Sequence, residues 1–241
     1  MLNEQTITKM NEMKLFGMAR GFAERNGKAD HAGLSHAEFT GLLVDDEKTH
    51  RETRRLERLL KSARLKQQAC LEDIDYKNPR GLSRQVMLEL AGGHWLVKKQ
   101  NILITGPTGI GKSYIACALG NQACRAGYAT RCERVPRLFE ILCMAKADAS
   151  HLKTITQMGR VEVLILDDFG LAPLSDSERR DLLEIIEDRY ASGPTIITAQ
   201  APAKNWHEII GEPTIADAIC DRIFHNAYKI ELKGKSVRPR D

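Results

Sequence analysis

The chain has 241 residues, 42% hydrophobic and 28% charged, which is a globular composition sufficient for one ordinary domain plus a smaller appendage. No apolar stretch reaches the roughly 18 residues a membrane helix needs, and the opening MLNEQTITKMNEMK has no apolar signal-peptide core, so no membrane association and a cytosolic location are expected. The net charge of +4 is unevenly spread: residues 1–70 hold 13 Lys/Arg against 10 Asp/Glu, residues 71–221 hold 17 against 20, and residues 222–241 hold 6 against 2. Basic ends around a slightly acidic middle suit a core flanked by segments that meet an anion such as nucleic acid. The six cysteines form no Cys-x-x-Cys pair, which argues against zinc and for reduced, mostly buried thiols.

Residues 1–70 read as a small all-helical domain. Ile7, Met10, Met13 and Leu15 recur at near-helical spacing, and Ser35-His36-Ala37-Glu38 is a capping box ahead of Phe39, Leu42 and Leu43. A charged segment from Lys48 to Lys66 follows, with Leu56, Leu59, Leu60 and Ala63 on its apolar side. Residues 71–81 read as a linker, marked by the turn signal Asn78-Pro79-Arg80-Gly81.

From residue 82 to 241 the pattern is α/β. A helix is predicted from Ser83 to Ala91, a strand at Asn101–Thr105, a helix from Lys112 to Ala126 and a strand at Ala129–Cys132, then helical segments to about Met158. The apolar run Val161–Leu166 predicts a strand buried on both faces. A helix over Asp176–Ala191, a strand at Thr195–Ala199, a helix near Thr214–His225 and a closing strand at Tyr228–Leu232 complete the alternation, which predicts a parallel sheet flanked by helices.

Gly106-Pro107-Thr108-Gly109-Ile110-Gly111-Lys112-Ser113 matches the P-loop motif in full, between a predicted strand and a predicted helix. The glycines let successive backbone N–H groups turn toward phosphates, and the helix start adds its positive end. Lys112 is expected on the β- and γ-phosphates of ATP, Ser113 on Mg2+, and Tyr114 beside the nucleotide. Fifty-five residues after Lys112 the apolar run ends in Asp167-Asp168, a Walker B pattern: Asp167 would hold Mg2+ through water, and Asp168 would orient or deprotonate the attacking water. At the tip of the next strand, either Thr198 or Gln200 would sense the γ-phosphate. Arg222 reads either as a finger reaching a neighbouring subunit's γ-phosphate or as a surface ion pair with Asp217 or Asp221. On a helix Arg51, Arg54, Arg55 and Arg58 share a face, which is either a solvated surface or a contact surface for DNA phosphates.

The P-loop GPTGIGKS, the run LILDDFG and the closing DRIFHNAYKIELKGKSVR together resemble IstB-like proteins, as does Leu15-Phe16-Gly17-Met18-Ala19, which resembles that family's opening helix. The resemblance covers nearly the whole chain. It implies an AAA+ ATPase, related to DnaC-type helicase loaders, that assists the transposase of a bacterial insertion sequence. It further implies a homo-oligomer on double-stranded target DNA, with ATP at subunit interfaces, a cognate transposase as partner, and Arg222 at the arginine-finger position. Two departures from the wider AAA+ pattern stand out. Asp168 replaces the common Glu, which sets the carboxylate one methylene back. Only 19 residues follow Arg222, too few for a full helical lid, so Arg238 is the remaining candidate for a lid arginine. Two other readings are a replicative helicase loader and a DNA-binding adaptor that uses ATP only for assembly.

Overall fold

The apolar spacing at the start of the chain becomes helices, in a computed structural model that describes residues 2–26 and 34–236. Arg238 lies outside the described residues. The chain forms two compact units, Met1–Arg58 and Leu59–Asp241. The first contains α1 (Leu2–Glu12), α2 (Phe16–Asn26) and most of α3 (His36–Ala63). The spacing that suggested one helical run through Leu15 is broken by Lys14, whose φ of 61° turns the chain, so Phe16–Ala19 open the second helix rather than the first.

The capping box forms as its residue types demand. Glu38 donates its backbone N–H to Ser35 Oγ at 3.3 Å, and the Glu38 carboxylate accepts the Ser35 N–H at 2.8 Å. The capped apolar run and most of the charged segment prove to be one helix of 28 residues that ends at Ala63, and its one glycine, Gly41, faces open space. Gly17 and Gly21, four residues apart on α2, let it approach α3 closely. A Cβ on Gly17 would stand 2.5 Å from the Asp46 carbonyl oxygen, and one on Gly21 would strike the Asp46 carboxylate. At that contact Glu47, 6% exposed, accepts the N–H groups of Gly17 at 2.7 Å and Met18 at 3.2 Å, capping α2 from the neighbouring helix.

In the second unit the short apolar runs become a five-stranded sheet: β1 (Ile102–Thr105), β2 (Thr130–Arg134), β3 (Val163–Phe169), β4 (Thr195–Ala199) and β5 (Tyr228–Glu231). Their spatial order is β2-β3-β4-β1-β5, and every neighbouring pair is parallel. Before β1 come α4 (Arg84–Ala91) and α5 (His94–Val97), and between the strands run α6 (Lys112–Arg125), α7 (Val135–Ala147), α8 (His151–Arg160), α9 (Asp176–Arg189), α10 (Trp206–Ile210) and α11 (Pro213–Phe224). Strand alternation divides the core in two. Ile102, Ile104, Val163 and Ile165 pack with α4, α5 and α6, while Leu103, Leu164, Leu166 and Ile197 pack with α7, α8, α9 and α11. Among the described residues no helix follows β5, and no helix is long and apolar enough to cross a membrane. The six cysteines are free, four of them buried.

Two sequence expectations shift here. The strand predicted at Val161–Leu166 starts two residues later and runs on through both aspartates to Phe169. Val161 is kept out of the strand by Arg189, whose guanidinium donates to its carbonyl at 2.7 Å and to those of Met158 and Pro194 at 2.9 and 2.7 Å. Burial pulls the Arg189 pKa down to about 9, and carbonyl oxygens satisfy the cation. The short helices α5 and α10 had no capping or periodic signal to announce them.

Candidate nucleotide-binding site

The sheet order decides where the motifs meet. β4 lies between the strand that feeds the P-loop and the strand that carries the acids, so all three strand ends converge at one edge. After Thr105 the chain curls through Gly106, Gly109 and Gly111 at φ of 146°, 80° and 99°, conformations that side-chain-bearing residues avoid. Lys112 then opens α6, 6% exposed, with its ammonium donating to the carbonyls of Gly106 and Pro107 at 2.8 and 2.9 Å. Ser113 follows and donates its hydroxyl to Asp167 Oδ1 at 2.8 Å.

The two acids sit on a bulge. Leu166 pairs with Ile197 but Phe169 pairs with Ala199, so β3 spends one more residue than β4 over this stretch. Asp168 takes up the excess with a φ of 62°, a strained conformation for a residue with a Cβ. A regular strand would send consecutive side chains to opposite faces. Here both carboxylates come within reach of one ammonium, that of Lys66, which binds Asp167 Oδ2 and stands 3.6 Å from Asp168 Oδ2. Arg134, at the end of β2, donates to Asp168 Oδ2 at 2.8 Å. Asp167 is 1% exposed. Burial works to raise its pKa, but hydrogen bonds from Lys66, Thr198 and Ser113 outweigh it and hold the carboxyl below the usual carboxylate range.

The two sensor candidates separate by place. Thr198 is fully buried, donates its hydroxyl to Asp167 Oδ1 at 2.5 Å and accepts the Asp168 N–H at 3.0 Å. Gln200 is exposed and lines a cavity of about 400 Å3 together with Gln67, Arg80, Thr108, Gly109, Gly111, Lys112, Ser113, Tyr114 and Asp168. The donor set fits Mg·ATP: glycine-lined backbone for phosphates, one buried lysine, and adjacent hydroxyl and carboxylate oxygens of the hard kind magnesium prefers.

Comparison with known proteins agrees with this geometry. Residues 8–241 match the family model of IstB-like ATP binding proteins. The chain belongs to the IstB-like ATP binding protein family. It is 48% identical to the putative insertion sequence ATP-binding protein y4pL of Sinorhizobium fredii, over 99% of this chain and 97% of that one. It is 46% identical to the putative ATP-binding protein of insertion sequence IS1162 of Pseudomonas fluorescens, over 84% and 88%. Among solved structures it resembles DnaI, with a TM-score of 0.60 and 23% identity over 75% of this chain and 93% of that one. The DnaC helicase loader matches with a TM-score of 0.56 and 19% identity over 68% and 97%. These structural likenesses are ones of fold, and the fold is the P-loop AAA+ one.

This IstB-like chain keeps Arg222 away from its own P-loop. Asn101, just before β1, donates to the carbonyls of Arg222 and Ile223, whereas the P-loop follows the other end of β1. The acid beside Arg222 is neither Asp217 nor Asp221 but Glu187 on α9, at 2.9 Å, because that side of α11 packs on α9; Asp217 instead meets His207. Arg51, Arg54, Arg55 and Arg58 all lie exposed on α3, and Arg51 also donates to Glu47 at 2.7 Å.

Four parts of the site escaped the motifs. Lys66 counted only as one more charge in a basic run, and Arg134 carried no signal. Arg80, noted for its turn, donates to the P-loop carbonyl of Ile110 at 3.0 Å and to that of Asp75 at 3.1 Å. The segment after β5 returns along the P-loop, with Leu232 packed on Gly106 so closely that a Cβ there would not fit, and Lys233 N–H bonded to the Arg80 carbonyl at 2.9 Å.

Proposed function

We propose that this chain is an ATP-hydrolysing, DNA-binding helper that assembles on double-stranded target DNA and assists the transposase of its insertion sequence. The observation that carries the reading is the coincidence of a complete P-loop and Walker B pair with near full-length similarity to insertion sequence ATP-binding proteins. In this reading Lys112 and the P-loop N–H groups bind the phosphates, and Tyr114 flanks the nucleotide. Ser113 directly and Asp167 through water would hold magnesium, which when bound supplies charge neutralisation at the β- and γ-phosphates. Asp168 orients and deprotonates the attacking water, Thr198 fixes both acids, and Gln200 faces the γ-phosphate. Arg222 serves the site of a neighbouring subunit.

DNA is assigned to the exposed arginines of α3. Lys and Arg that meet only phosphates carry no base information, so binding should be strongly salt-dependent and indifferent to sequence. The fold likeness to DnaC and DnaI keeps a helicase-loader role as the second reading, which a cognate transposase would distinguish by binding or failing to bind.

The test is anisotropy of labelled duplexes at several salt concentrations with ATP and magnesium, repeated with transposase added. The parent protein should bind DNA in an ATP-dependent way and recruit transposase. Lys112→Ala should lose nucleotide binding and, with it, the ATP-dependent part. Changing Arg54, Arg55 and Arg58 to Gln, which spares the Arg51–Glu47 pair, should weaken all duplexes alike and flatten the log–log salt slope by about one per lost contact. DNA affinity that ignores ATP and both variants would end this reading.

A further inference from the structure

Among the described residues, the cation that reaches both Walker B acids comes from outside every motif. Lys66 lies three residues after α3 ends at Ala63, in a segment held firmly at its base. Leu65 packs against the core beside Gly120, Ala69 is buried with Cys117 and Ala118, and the backbone N–H groups of Lys66 and Gln67 meet the Cys117 thiol. The side chain itself is 38% exposed, so it has both a fixed root and an open path to solvent.

Its ammonium meets the one Asp167 oxygen that Ser113 and Thr198 leave free, 3.6 Å from Asp168. A nearly dry carboxylate needs a counter-charge, and Lys66 supplies it. A divalent cation held by Ser113 and Asp167 supplies the same charge at the same carboxylate. With both present, and Arg134 already on Asp168, three cations would crowd one acid pair, and the one that the metal meets at Asp167 is the lysine.

We propose that Lys66 is a tethered counter-cation of the Asp167–Asp168 pair, which competes with magnesium and is expelled when the magnesium–nucleotide complex binds, so that the segment 64–69 changes with the loading of the site. The proposal rests on the reading of Asp167 as a magnesium-holding residue. It gives the site a step that nucleotide alone, without the metal, would not trigger.

The experiment is a Mg2+ titration of a fluorescent ATP analogue binding to the full chain, in the parent, Lys66→Met and Lys66→Arg. Removing the competitor should lower the half-saturating Mg2+ concentration roughly three- to tenfold, the scale of a half-exposed charged hydrogen bond. Lys66→Arg, which keeps the charge, should stay close to the parent. In the parent, trypsin cleavage after Lys66, mapped by mass spectrometry, should quicken with Mg·nucleotide but not with nucleotide and EDTA; this readout decides the matter if Lys66→Met does not fold. Unchanged Mg2+ dependence in Lys66→Met, or unchanged cleavage in the parent, overturns the proposal. Weaker nucleotide binding by Lys66→Met with and without Mg2+ would make Lys66 a phosphate ligand, which also overturns it. A parent that binds nucleotide tightly with no need of Mg2+ would instead remove the magnesium reading of Asp167, and the competition with it.

Discussion

Asp168 carries two constraints that a carboxylate in a regular strand would not have. Its φ of 62° fixes the direction of its side chain, and Arg134 at 2.8 Å occupies one of its oxygens. In the proposed reaction Asp168 is the base, and Arg134 on one of its oxygens leaves only the other for water, so turnover should depend on what draws Arg134 away. Asp168→Asn keeps the side-chain shape and leaves the backbone N–H bond of that position to the Thr198 hydroxyl in place. We therefore expect it to bind ATP within a few-fold of the parent while phosphate release falls by about 100-fold or more. A variant with the parent rate of phosphate release would move the base elsewhere. The P-loop and the acid pair were legible in the sequence because each is contiguous and each depends on backbone geometry that particular residue types permit. Lys66, Arg80 and Arg134 were not, because each reaches the site through tertiary folding across 30 residues or more.

At the scale of elements, strands announced themselves best where both faces are buried. β4 was predicted to the residue, and β1 to within one, because short runs rich in β-branched residues and bounded by turn signals admit little else. β3 was misjudged at both ends, since its bulge places charged residues inside a strand and Arg189 takes the Val161 carbonyl just ahead of it. The α2–α3 contact rests on Glu47, which no local pattern reveals. Burial acts to raise its pKa, but bonds from Arg51, Met18 and Gly17 hold it below the ordinary carboxylate value. A depressed carboxyl contributes stability above its unfolded pKa and loses it as pH falls through the folded one. Glu47→Gln should thus cost about 1–2 kcal/mol at neutral pH and cost progressively less as pH drops below about 4. Urea unfolding of parent and variant between pH 3 and 7 measures that difference directly, and a gap that stays constant over the whole range would refute the assignment.

For the whole molecule, the decisive fact is that Arg222 and the P-loop stand at opposite ends of β1. Arg222→Ala subunits should bind ATP yet release little phosphate, and Lys112→Ala subunits should release none. Mixed one to one, about one quarter of randomly formed junctions join an intact P-loop to an intact arginine, and activity should return in that proportion. Absence of recovery at every ratio, with both variants folded and co-assembling, would confine Arg222 to its pair with Glu187.

The same separation fixes a polarity. If the lower end of one sheet serves the upper end of the next, contact between subunits is head to tail, and a two-fold symmetric pair cannot satisfy it. Such a chain of subunits either closes on itself or stays open, and an open one always carries a bare cradle at one terminus and an idle arginine at the other. The completed sites in an open assembly then number one fewer than its subunits. Activity per subunit therefore climbs with length and levels off, whereas a closed assembly has full activity at its smallest size. Under the proposed arrangement hydrolysis would gauge how far assembly has proceeded, with the shortest assemblies hydrolysing least per subunit.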